Sequence, residues 1–63
     1  LKMYEIWVRD AYETIVRGIE VNDLETAKQF FELCKRIEGA TLIQIDHNGE
    51  TLAECYNLRG VWQ

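Results

Sequence analysis

The chain has 63 residues, 48% hydrophobic and 29% charged, with no proline and a net charge of −4 from 11 acidic and 7 basic residues. That length allows one domain, residues 1–63, of a size that buries only about 60% of the surface its unfolded chain exposes. The composition excludes a disordered or low-complexity chain, and the acidic balance argues against nucleic acid and anionic membranes as partners.

Residues 3–9 are rich in β-branched and aromatic types, and Tyr4, Ile6 and Val8 alternate with period two. Residues 13–20 give a second strand after a three-residue loop, Asp10-Ala11-Tyr12, so the first hairpin spans about 3–20. A register with Glu5 opposite Arg17, Arg9 opposite Glu13 and Trp7 opposite Ile15 pairs opposite charges and apolar side chains across the strands. It sends Tyr4, Ile6, Val8 and Val16 inward, and Trp7, Ile15 and Ile19 outward. Gly18 is a candidate bulge.

A helix follows at about 23–38. Asn22 is a suitable N-cap with Glu25 three residues on, and Asp23 favours the positive end of the helix dipole. Leu24, Ala27, Phe30, Phe31, Cys34 and Ile37 recur at helical spacing and form one apolar stripe, with Leu33 at its margin. Gly39 is the expected stop. The two phenylalanines leave little room for a buried cofactor, and none is expected.

The second hairpin spans about 41–57. Asn48-Gly49 supplies the positive φ angles of a tight turn. A three-residue loop, His47-Asn48-Gly49, places Ile43, Ile45, Ala53 and Cys55 on the helix side, and Leu42, Gln44, Leu52, Glu54 and Tyr56 outside. A two-residue turn flips one strand relative to the other. The tail from Leu58 to Gln63 carries Trp62 and no clear pattern. The expected fold is therefore α+β: a four-stranded, mainly antiparallel sheet, ββαββ in order, with one helix on one face.

Tyr4-x-Ile6-Trp7-Val8, Leu24-x-x-Ala27 at the helix start, and Ile43-x-Ile45-Asp46-x-x-Gly49-Glu50 resemble small uncharacterised ββαββ proteins of bacterial and phage genomes. The likeness covers most of the chain, lies at the level of the fold and carries no chemical residue, so it implies no activity.

Candidates for chemistry are few. His47, the only histidine, sits at a hairpin tip and reads as a solvated turn residue, because a general base needs an orienting partner and a nucleophile in reach. Cys34 and Cys55 read as small buried hydrophobes, with a disulfide between them as the alternative. Their spacing with His47 matches no metal-binding pattern. The outer helix face, with Glu25, Lys28, Glu32, Lys35 and Arg36, reads as solvated and mixed in charge. Arg9, Arg17 and Trp7 could form a stacking platform for single-stranded nucleic acid, but Glu5 and Glu13 lie among them. Two cysteines are too few for a short secreted chain. The longest apolar runs are two or three residues, too short for a leader or a membrane span. A reducing cytoplasmic setting is expected, and Met3, after Leu1 and Lys2, reads as a natural start.

One helix covers one face of such a sheet. The outward set Trp7, Ile15, Ile19, Leu42, Leu52 and Tyr56 is more apolar surface than a small monomer leaves wet. The expected function is a non-enzymatic interaction module that self-associates through this face, as a homodimer, or binds a protein partner there. The alternatives are a small acidic inhibitor of a nucleic-acid-binding or other basic protein, which requires its acids on one surface, and a small enzyme with its site at a dimer seam.

Overall fold

A computed structural model describes residues 3–58 and 61–62, with side chains described through residue 56. The elements in chain order are β1 (Tyr4–Arg9), β2 (Ile15–Val21), α1 (Leu24–Cys34), β3 (Leu42–His47), β4 (Glu50–Leu58) and β5 (Val61–Trp62). This is the α+β, ββαββ fold. Four antiparallel strands lie in the order β2-β1-β3-β4, and the two-residue β5 pairs with the end of β4. The connection from β2 through α1 to β3 passes over β1. The helix accordingly packs on β1, β3 and β2. No described helix is long and apolar enough to cross a membrane.

Cross-strand pairing sorts the side chains into rows. On the helix side stand Val21–Tyr4–His47–Glu50, Ile19–Ile6–Ile45–Ala53 and Arg17–Val8–Ile43–Cys55. Ile6, Val8, Ile43 and Ile45 are buried under Ala27, Cys34 and Ala40, with Phe30, Phe31 and Ile37 packed around them. The apolar stripe of the helix thus closes the core as the 3.6-residue period requires.

Three details differ from expectation. The first hairpin turns through five residues, Asp10 to Thr14. Asp10 Oδ1 accepts from the amides of Tyr12 (2.8 Å) and Thr14 (3.0 Å), and Glu13 adopts a left-handed φ of 65°. The pairing is therefore Glu5↔Glu20, Ile6↔Ile19 and Trp7↔Gly18, with a bulge before Arg9↔Ile15. Ile19 consequently faces the helix and packs on the core, against the outward placement expected for it. Val16, expected inward, lies at the bulge and is 47% exposed. The charge-matched register failed because it sets Gly18 opposite Tyr4. The observed one puts Ile19 and Val21 against the helix, and burying such side chains contributes about 1.5–3 kcal/mol each. A cross-strand charge pair contributes roughly 0.2–1 kcal/mol.

The helix is capped by Asp23 rather than Asn22. Its carboxylate accepts both the Thr26 amide (2.8 Å) and the Thr26 hydroxyl (2.9 Å). The regular helix ends at Cys34. Lys35, Arg36 and Ile37 then donate to carbonyls three residues back, a tightened turn that swings Ile37 onto the core before Gly39 (φ 87°) ends it.

The second hairpin uses a two-residue turn, Asn48 (φ 54°) and Gly49 (φ 79°), with His47 opposite Glu50. That turn alone would have inverted β4. A bulge between Asp46↔Thr51 and Ile45↔Ala53, with Leu52 as the extra residue, restores the phase. Ala53 and Cys55 therefore face the helix side after all.

Candidate interaction face

The outer face of the sheet is built from three rows that the register fixes. One end is Ile15–Arg9–Leu42–Tyr56. The middle is Gly18–Trp7–Gln44–Glu54. The far end is Glu20–Glu5–Asp46–Thr51. Successive rows are two residues apart, so the outermost two lie about 13 Å apart along the strands.

Trp7 stands at the centre. Its indole lies across Gly18: a Cβ built there would sit 2.7 Å from Trp7 Cζ3. The glycine is thus not the bulge expected of it. It is a gap in the neighbouring strand into which the aromatic ring settles, and the ring in turn covers an otherwise bare backbone. Trp7 and Leu42 are half-buried, while Ile15 and Tyr56 are exposed at 47% and 46%. Leu52, on its bulge, is 49% exposed. Of the six residues expected to form an apolar outer patch, Ile19 lies on the other face and Leu52 on the bulge. Trp7, Ile15, Leu42 and Tyr56 come together.

The acidic row escaped the sequence reading. Glu20, Glu5 and Asp46 stand abreast on three adjacent strands, and Glu54 lies one row away. Asp46 Oδ1 accepts from Thr51 Oγ1 (2.8 Å) and Gln44 Nε2 (3.1 Å). Glu5 and Glu20 join no ion pair among the described residues. Among the described residues Arg9 is the single cation on this face, and its Nη1 donates to the Glu13 carbonyl at 3.3 Å. The other described basic residues lie elsewhere. Arg17 pairs with Val8 on the helix side. On the helix, Lys28 bridges Glu25 (3.9 Å) and Lys35 bridges Glu32 (2.9 Å). The signal that could have found the row was the alternation Ile19-x-Val21, which fixes which side of β2 faces the helix and so puts Glu20 outside.

At the Arg9 end, the face deepens into a cleft of about 260 Å³ lined by Arg9, Asp10, Glu13, Thr41, Leu42 and Tyr56. The wall is the β1–β2 loop, where Asp10 spends a carboxylate oxygen on two loop amides.

The remaining candidates separate. His47 stacks on Tyr4 (ring centroids 4.0 Å, interplanar angle 8°), with Nδ1 3.1 Å from the Met3 carbonyl oxygen, so it belongs to the β1–β3 seam rather than to a loose turn. Cys34 is buried and Cys55 half-buried, and both are free thiols. Burial pushes the Cys34 thiol above its ordinary value, with nearby Arg17 opposing weakly, which leaves it a poor nucleophile. Arg17 is on the opposite side of the sheet from Trp7 and Arg9, so the expected stacking platform does not assemble. No cluster of three potential metal ligands occurs among the described residues.

No family model matches the chain, and neither a curated protein nor a solved structure matches it.

Proposed function

We propose that the chain is a non-enzymatic protein-interaction module that docks, through the outer face of its sheet, onto a basic surface of another protein. It would serve as a small acidic inhibitor or regulator of a nucleic-acid-binding protein. One observation carries this reading: among the described residues, four acids and one arginine share the outer face, so a net charge of −3 gathers around Trp7. Aromatic side chains beside charges of one sign suit a partner of the opposite sign. A second copy is the less favourable occupant, because face-to-face pairing brings two carboxylate rows into one interface with a single Arg9 from each side. The reading keeps the chain in a reducing compartment, where both cysteines remain thiols.

The test compares two double charge reversals that change net charge equally. Binding of a 16-residue amphipathic lysine–leucine peptide is followed by amide chemical-shift mapping and titration. Glu5→Lys with Glu20→Lys is expected to weaken binding at least tenfold. Glu25→Lys with Glu32→Lys, on the helix, should change it less than twofold. Equal losses from both would reduce the attraction to non-specific charge and sink the proposal. So would light scattering that shows a dimer burying Trp7.

A further inference from the structure

Resting on that reading, the geometry points to the partner's docking element: an amphipathic helix with lysine or arginine in its first turns and an apolar anchor seven or eight residues later. The sheet face offers no free backbone groups along its middle strands, since β1 and β3 are paired on both sides. An extended segment laid there would bury its own amides and carbonyls without partners, whereas a helix satisfies them internally. The inner face of the same sheet is already covered in this way, by the 11-residue α1.

The face then sets the orientation of that helix. Its two ends differ in chemistry: three abreast carboxylates at one, and at the other Leu42 and Tyr56 beside Arg9 and the cleft of about 260 Å³, whose loop wall carries Asp10 and Glu13. The cleft takes one aliphatic or aromatic side chain against Leu42, Tyr56 and the Arg9 stem; its other walls are Thr41 and the loop residues Asp10, Ala11 and Glu13, of which Asp10 already accepts from two loop amides. The separation of about 13 Å corresponds to roughly nine residues of helix at 1.5 Å each. Positions seven or eight apart lie on one helix face, and the length of a lysine or arginine side chain spans the remainder. The positive end of the helix dipole is favoured over the carboxylates and the negative end is disfavoured, which places the cations at the N-terminal side.

Two 16-residue peptides of identical composition test this. One carries lysines in its first two turns and a phenylalanine eight residues on, and the other has the reverse order. Affinity is read from Trp7 fluorescence in a Trp62→Phe background and the contact surface from amide shifts. The first peptide is expected to bind at least tenfold tighter, with shifts at Glu5, Trp7 and Tyr56. Glu20→Lys should abolish that preference, and Tyr56→Ala should weaken both peptides. Far-UV circular dichroism checks that the variants keep their fold. Equal affinity of the two peptides, with shifts still on the outer face, would overturn the orientation while leaving the docking face intact. Shifts confined to α1, or none with either peptide, would overturn both.

Discussion

Glu5→Lys should make this protein more stable. Glu5 lies on the central β1 between Glu20 on β2 and Asp46 on β3, each directly opposite it in register. Like charges facing across strands are destabilising, and opposite charges contribute roughly 0.2–1 kcal/mol per pair. The change converts two repulsions into two attractions at a surface position, where such terms sit at the low end of their range. A net gain of about 1 kcal/mol follows, which for a domain this small raises Tm by roughly 4–8 °C. Urea and thermal unfolding in 20 mM buffer measure it, and repetition in 1 M NaCl is the control, because the screening length there is only about 3 Å. A variant no more stable than the parent at low salt would refute the reasoning. A gain undiminished in 1 M salt would also refute it, since it would then come from packing of the lysine stem. The same change removes the centre of the proposed cation-binding row. Stability and binding should therefore move in opposite directions, as they do where a surface is shaped for recognition rather than for folding.

Gly18→Ala, on the same face, should destabilise by about 1–2 kcal/mol, because its Cβ would meet the Trp7 ring, which must swing out toward solvent. Its check is urea unfolding together with a red shift of Trp7 emission, and most of the loss should vanish in a Trp7→Ala background. Asp23→Ala should shorten α1 and lower Tm, whereas Asp23→Asn should retain most of the cap. The amide and hydroxyl of Thr26 hold the Asp23 carboxyl below the usual carboxylate value. Its contribution is therefore complete above the ordinary value, near pH 4, and is lost as pH falls through the lowered one. The acid limb of the Tm–pH curve should accordingly be flatter in Asp23→Ala than in the parent.

Fold class, element order and the two-sided division of β1 and β3 were legible in the sequence because each rests on local period: alternation in the strands, a 3.6-residue stripe in the helix, Asn48-Gly49 at a turn. Register was not legible in the first hairpin. Its loop is set by the Asp10 carboxylate binding two amides and by Glu13 entering a left-handed conformation, an uncommon conformation for a residue other than glycine. Those interactions lie within five residues and have no hydrophobic signature. In the second hairpin two departures cancelled: the shorter turn inverted β4 and the bulge at Leu52 inverted it back. The facing of Ala53 and Cys55 therefore agreed with expectation for a reason other than the one anticipated.

The candidate site depends on register more strongly than the core does. A core tolerates a shift of pairing by two residues, since one aliphatic side chain then replaces another on the same face. A charge row does not. Moving β2 by three residues turns Glu5 from the partner of Arg17 into the neighbour of Glu20, and it carries Arg17 to the other side of the sheet. Acids that alternate with bases along the chain are in this way gathered on one surface, announced in the linear order only by the Ile19-x-Val21 alternation beside them. The sheet accepts the repulsion because the same shift places Ile19 and Val21 beneath the helix, where each contributes more than a surface charge pair takes away. Hydrophobic alternation thus chose the register, and the register left three carboxylates side by side beside an exposed aromatic face: a cost that folding tolerates and that a cationic partner would remove.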